Sequence, residues 1–367
     1  MSAFTSLPII DISLADNPET KPKLLQDLEH ALFRVGFLYL INHGIEQEAR
    51  DILELAPKSF EVPQAEKDAV AMTTNPHFVG YTALGMEYTA QHVDIREQYD
   101  FGSARDPDPL FREDDTVEPW RRLKGPSPYL PDSVLPGFEK TVTTYIAGME
   151  RVASRLLDLI AECLNLPPET FHQFEADMNR LKIVKYPPPK AEEIEKAGGA
   201  FLHGGSQFQG VGPHKDSSGM FTFVLQDNVG GLEVLNQAGE WIPATPLQDS
   251  FVVNIAQGFE ALTGGRCGAT THQVISPSEN VTRYSIPYFH SIRLDLTKQD
   301  IDNQLSFIKG RIPEPSDLKK RAVDVPSEFI QPQYKTFGDA HLRNRVVSHK
   351  DVAKIWYPKQ DAIYNSA

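Results

Sequence analysis

The sequence predicts a mixed α and β fold, with an antiparallel sandwich or barrel built from the second half of the chain and helices on either side. Three observations point there. Between Leu181 and Phe289 the apolar segments are short, and Gly, Pro, Asn or Asp separates most of them, as in many-stranded antiparallel structures. Ahead of them Val142, Tyr145, Ile146, Met149, Val152, Ala153, Leu156, Leu157 and Ile160 recur at intervals of three and four, one apolar face of a long helix. After Leu296 the chain returns to helical and polar segments. With 367 residues, 40% of them hydrophobic, the chain can bury a sizeable core.

The elements follow in order. Leu7-Pro8-Ile9-Ile10-Asp11 reads as a short strand, and a helical pattern covers Lys21 to Val35. Gly36-Phe37-Leu38-Tyr39-Leu40-Ile41 is a strand rich in aromatic and branched residues, closed by a turn at Asn42-His43-Gly44. A helix is expected from Glu46 to Phe60. Residues 75–131 are loop-rich, with a strand over Asp94 to Phe101. The long helix runs from about Pro136 to Leu164. Leu181 to Tyr186 is a strand that stops at three prolines, which cannot continue a ladder. Residues 190–211 read as a surface loop or as a lid over the site. Strands are then expected at Met220–Leu225, Leu232–Leu235, Trp241-Ile242, Ser250–Ile255, Thr270–Ile275 and Arg283–Phe289. This divides one compact unit into residues 1–130 (helices and strands), 131–180 (the scaffold helix), 181–295 (the β core) and 296–367 (a helical extension).

Composition narrows the function. A formal net charge of -14 repels nucleic acid and anionic membrane surfaces, so neither is an expected partner. Two cysteines, Cys163 and Cys267, are not a disulfide framework and fit a reducing compartment. Met1 to Ser13 lacks the charge and apolar run of a secretory signal, and no window approaches 18 consecutive apolar residues. The expected location is cytoplasmic. The sequence carries no sign of an oligomeric state.

Among 11 histidines, about one His-x-Asp pair is expected by chance, and this chain has three: His92/Asp94, His214/Asp216 and His349/Asp351. On a strand such a pair shares one face, and a second histidine from a neighbouring strand would complete the two-His, one-carboxylate set that suits non-haem iron(II). His349/Asp351 has no histidine after it and reads as a helix start with Asp351 near its N-terminus. His92/Asp94 is followed next by His172, in a helical region. Only His214/Asp216 has a later histidine, His272, in a strand-like segment, with several strands between. Arg283 and Ser285 follow, two apart on a strand and so on one face. An inward Arg needs an anion, and its forked donors match a carboxylate.

These residues resemble the isopenicillin N synthase-like branch of the iron(II)/2-oxoglutarate-dependent dioxygenases, over most of the chain. Leu7 to Asp11, Gly36 to Ile45, Asp94 to Tyr99 and Tyr186-Pro187-Pro188 are similar to its signatures. The most specific stretch is Gly212-Pro213-His214-Lys215-Asp216 through Gly230 to Val234, Trp241, Val252-Val253-Asn254, His272 and Arg283-Tyr284-Ser285. The resemblance implies a double-stranded β-helix, or jelly roll, flanked by N-terminal and C-terminal helices. It implies Fe(II) on His214, Asp216 and His272, with 2-oxoglutarate held by Arg283 and Ser285 with help from Tyr186. Phe289, and more loosely Tyr99, would line the substrate cavity. Lys215 stands where the family usually has Thr, and strand alternation aims it away from the metal. Ala256-Gln257-Gly258, Gln273 and Val184 also depart from the usual pattern.

The implied activity is oxidation, by default hydroxylation, of a small molecule of secondary metabolism, with 2-oxoglutarate and O2 converted to succinate and CO2. No catalytic residue is implied beyond the metal ligands. Two other readings share the fold: a 2-oxoglutarate-independent oxidase, cyclase or ethylene-forming-type enzyme, and a non-catalytic jelly-roll binding protein.

Overall fold

Alternation of side chains along short strands decides where each surface goes, and the strands come in the following order. A computed structural model of the protein describes residues 3–89, 92–111, 118–188, 202–203, 207–217, 219–277, 281–308 and 333–365. The strands are β1 (Ile9–Asp11), β2 (Phe37–Ile41), β3 (Gly80–Thr82), β4 (Tyr88–Thr89), β5 (His92–Val93), β6 (Glu97–Gly102), β7 (Arg180–Tyr186) and β8 (Leu202–His203), then β9 (Gln207–His214), β10 (Gly219–Gln226), β11 (Leu232–Leu235), β12 (Trp241–Pro243), β13 (Ser250–Ile255), β14 (His272–Ile275) and β15 (Arg283–Ser291). The helices are α1 (Lys21–His30), α2 (Glu46–Glu61), α3 (Gln64–Ala69), α4 (Phe138–Cys163), α5 (Gln257–Leu262), α6 (Lys298–Ile308), α7 (Phe337–Ser348), α8 (Lys350–Trp356) and α9 (Pro358–Tyr364).

An eight-stranded sheet runs β1-β2-β13-β10-β15-β7-β6-β3, and a five-stranded sheet runs β12-β11-β14-β9-β8. The larger sheet is covered on both faces. Leu38, Leu40, Leu181, Ile183, Phe221, Phe223, Phe251, Val253, Ile286 and Tyr288 belong to the core that α4 fills with its apolar face. Their neighbours in sequence belong to the opposite side: Phe37, Tyr39, Val184, Tyr186 and Val252 pack with Val211, Leu232, Val234 and Val274 of the smaller sheet. Strands buried on both faces read as continuous apolar runs. Each large apolar side chain taken from water contributes about 1.5–3 kcal/mol, which makes the α4 face a principal anchor.

Several expected elements differ in extent. The first helix ends at His30 and continues as a π-helical turn over Ala31–Val35. The strand expected from Asp94 begins at Glu97. Residues 257–262, between two expected strands, form α5. Strand β9 is the largest surprise, because its two glycines and Pro213 read as loop; pairing with β14 supplies the ladder that local propensity does not. Most of 190–211, including any lid, lies outside the described residues. Among the described residues no helix is long and apolar enough to cross a membrane.

One glycine ties β2 to β14. Gly36 has φ +76°, and a Cβ built on it would lie 2.3 Å from Thr270 Oγ1. That hydroxyl donates to the Val35 carbonyl at 3.0 Å. Gly36→Ala therefore combines left-handed backbone strain with a clash. It is expected to cost on the order of 2–3 kcal/mol in a denaturant melt, while Gly44→Ala, with nothing within 4 Å, costs less.

Candidate metal centre

The antiparallel pairing of β9 with β14 sets His214 directly opposite His272. Each imidazole is oriented by its own chain: His214 Nδ1 lies 2.8 Å from the Gly212 carbonyl, and His272 Nδ1 lies 3.1 Å from the Thr270 carbonyl. A carbonyl only accepts, so both Nδ1 atoms carry protons. Both Nε2 atoms are left with a lone pair, as a metal ligand requires. The Phe37 ring meets His272 edge-on at 5.3 Å and limits its rotation.

Asp216 completes the group. Strand β9 ends at His214, so Asp216 stands in the loop beyond it, with its carbonyl accepting from Gln257 N at 2.9 Å. Its Oδ2 accepts from Asn254 Nδ2 at 2.7 Å. Oδ1 is thereby turned to the imidazoles, 3.5 Å from His214 Nε2 and 3.7 Å from His272 Nε2. The three ligand atoms lie within 4.8 Å of one another, and this is the one such His/Cys/Asp/Glu group among the described residues. Burial pushes the His272 imidazole down to about 4, with His214 adding to the effect. At His214 burial acts the same way, but Asp216 outweighs it and raises the pKa. Burial also opposes ionisation of Asp216, yet the two imidazoles hold its carboxyl well below the usual range. A carboxylate between two imidazoles with converging lone pairs is a ready site for a divalent transition metal.

The group opens on a cavity of about 420 Å³, within the range for small-molecule sites. Val211, Val224, Leu232 and Val274 give it an apolar wall. Tyr186, Arg283, Ser285 and Phe289 line it as well. On β15 and β7 Arg283 sits opposite Tyr186, and Ser285 opposite Val184. Arg283 is 1% exposed, its guanidinium lies over the Tyr186 ring at 4.9 Å, and Nη2 reaches Gln226 Oε1 at 3.4 Å. Its Nε and Nη1 have no hydrogen-bond partner among the described residues. Buried donors of this kind call for an anion in the cavity.

Tyr99 is a correction. It does not line the cavity: alternation along β6 turns it into the helix-covered core, where its hydroxyl donates to the Ser59 carbonyl at 2.8 Å and its ring packs on Phe60, Tyr81 and Phe138. Lys215 is a second. Alternation stops governing the chain where β9 ends, and Lys215 is buried and lines the cavity. Of the other pairs, His92 is exposed, while Asp94 is buried and ion-paired with Arg96 at 3.0 Å. His349 caps α8, with Asp351 in its first turn.

Sequence reasoning missed Asn254, the buried charges Glu87, Arg96 and Lys182, and the half-buried Arg345, all but Asn254 lining the cavity. A signal existed for two of them. Asn254 within Phe251-Val252-Val253-Asn254-Ile255, and Lys182 within Leu181-Lys182-Ile183, are polar residues in apolar strands that must find buried partners.

Comparison with known proteins bears on the same residues. Residues 7–127 match the family described as non-haem dioxygenase in morphine synthesis N-terminal, and residues 180–292 match the 2OG-Fe(II) oxygenase superfamily. The chain is 38% identical to the 2-oxoglutarate-dependent dioxygenase frbJ of a Dothideomycetidae species, over 97% of this chain and 94% of that protein. It is 30% identical to a 2-oxoglutarate-dependent dioxygenase of Gibberella zeae, over 97% and 92%. A crystal structure of a full-length Neurospora crassa protein in complex with alpha-KG and 5-formyluracil is similar in fold, with a TM-score of 0.63, 26% identity, and coverage of 79% of this chain and 86% of that one.

Asn254 is a test of how the carboxylate is aimed. Asn254→Leu removes the donor that turns Oδ1 inward, so Mn(II) affinity measured by calorimetric titration is expected to fall about 10–100-fold with the fold retained.

Proposed function

The chain belongs to the 2OG-Fe(II) oxygenase superfamily, and on that premise we propose that His214, Asp216 and His272 hold its iron while Arg283, Ser285 and Tyr186 hold the far carboxylate of 2-oxoglutarate. The protein is a 2-oxoglutarate-dependent dioxygenase that oxidises a small molecule, with Fe(II), 2-oxoglutarate and O2 as its cofactor and cosubstrates. One observation carries the residue assignment: three tied ligands present their free atoms to the cavity in which Arg283 has two unpartnered buried donors. When bound, iron and 2-oxoglutarate supply the oxidising power, the keto acid being converted to succinate and CO2 as a substrate C–H bond is oxidised.

The chain's own residues position and protect. The backbone carbonyls of Gly212 and Thr270 keep both imidazoles in the ligating tautomer. Asn254 aims the carboxylate. Arg283 can grip a carboxylate through two nitrogens, and in a buried setting a charge-assisted pair of this kind is strong. The Tyr186 ring and Gln226 fix the plane of its fork before a ligand arrives, which lowers the entropic cost of binding. Ser285 offers a hydroxyl two residues along on the same face. The valine and leucine wall excludes water from the reacting centre. Hydroxylation is the default outcome, and the bond presented to the metal decides it.

Two variants test the assignment. His214→Ala is expected to abolish substrate-coupled succinate formation, and activity equal to the parent would overturn the ligand set. Arg283→Met is expected to raise KM for 2-oxoglutarate by about a hundred-fold with iron binding intact. Iron-dependent turnover with 2-oxoglutarate omitted would remove the cosubstrate role.

A further inference from the structure

The cavity wall farther along β7 is built of charge rather than of apolar side chains. Lys182, four residues from Tyr186 on the same inward face, lies 2.8 Å from Asp100 and 3.4 Å from Glu87. Arg96 lies 3.1 Å from Glu87 and 3.0 Å from Asp94. Arg345 of α7 reaches Asp100 at 3.7 Å. Three cations thus meet three carboxylates, and that network alone is balanced. A further cation stands behind this wall. Arg180, two residues from Lys182 on β7, lines a neighbouring pocket and donates its guanidinium to the carbonyls of His77, Phe78 and Leu123 at 2.8–3.0 Å, with no ion-paired carboxylate among the described residues. Burial with Arg345 beside it pulls Arg180 down to about 9.

Helix α7 adds to this wall. His341, Asn344, Arg345 and Ser348 of α7 recur at helical spacing and line the cavity, while Leu342 and Val346 on its other side pack with Trp120 and Tyr357. His341 is 5% exposed, and its Nδ1 has no hydrogen-bond partner among the described residues; neither has Arg96 Nε. Burial, with Arg345 and Arg180 adding to it, holds the His341 imidazole well below its ordinary pKa. A buried excess of cations with unsatisfied donors is costly unless an anion completes it. The chain's net charge of -14 cannot explain a positive chamber, so the bias is local.

We infer that the substrate is a carboxylic acid, and that Arg345 and His341 of α7, with Arg96, receive its carboxylate inside the cavity while its body lies toward the metal. This rests on the oxygenase reading above. A carboxylate at this wall is distinct from the one Arg283 holds, because Arg345 reaches Asp100 beside Lys182, whereas Arg283 sits opposite Tyr186 four residues farther along β7; Arg96, ion-paired with the same Glu87 as Lys182, stands between them. An acid is preferred to its ester by the charge-assisted hydrogen bonds alone, about ten- to a hundred-fold.

The test uses the full chain loaded with Fe(II) and 2-oxoglutarate. Benzoate, phenylacetate, cinnamate, hexanoate and decanoate are each offered beside the methyl ester, and succinate formation is measured. The visible charge-transfer absorption of the Fe(II)–2-oxoglutarate complex, formed anaerobically without any acid, reports the parent reading separately. Acids are expected to stimulate succinate formation or shift that band, with the esters at least ten-fold weaker. Arg345→Gln is expected to reduce the acid-to-ester ratio ten-fold or more, and Arg345→Lys to restore part of it. A ratio near one in the parent, a ratio unchanged in Arg345→Gln, or acids that neither stimulate nor shift the band would overturn the proposal. Failure of the band itself would instead overturn the oxygenase assignment of these residues.

Discussion

The register between β9 and β14 is the constraint on which the rest depends. His214 faces His272 only in that alignment, and a slip of one residue would turn each imidazole to the opposite side of the smaller sheet. Neighbouring strands leave little freedom for such a slip. On the other edge of β14, Val234 of β11 is paired with His272 itself, and Gly36 lets β2 approach Thr270 closely just before the strand begins. The centre is therefore held by backbone ladders, and side chains such as Asn254 and Phe37 refine what the ladders have placed.

A second consequence of the same architecture is electrical. The larger sheet presents one face to the apolar core around α4 and the other to the cavity. On β7 the inward face carries Tyr186, Val184, Lys182 and Arg180 in succession. Along that single edge the environment passes from an aromatic platform for an arginine, through an apolar step, to buried cations. Such a gradient is tolerated because Glu87 and Asp100 lie within ion-pair distance of Lys182, while the carbonyls of His77, Phe78 and Leu123 accept from Arg180. Removing one partner of a buried pair leaves the other unmatched, which is why such networks tolerate substitution poorly.

Much of this was legible in the sequence, for identifiable reasons. The long helix showed because one face of a helix repeats visibly over 26 residues. The strand Ser250–Ile255 was read over the same span, since its run of branched and aromatic residues has few other interpretations. The order His214, Asp216, His272, Arg283, Ser285 was informative because each residue type serves a distinct chemical need. Strand β9 was missed because glycine and proline speak against a strand locally while β14 enforces one from a distance. Tyr99 was misassigned because both faces of β6 are buried, so composition could not say which side held the cavity. Arg345 and His341 were missed because they approach the site from far along the chain, on a helix whose polar face reads as solvent-exposed.

That remote helix carries a consequence for biosynthesis. The ligand-forming strands and Arg283 all leave the ribosome before residues 337–348 do. The wall that His341, Asn344, Arg345 and Ser348 form is thus the part of the cavity lining made last, and its place depends on Leu342 and Val346 packing with Trp120 and Tyr357.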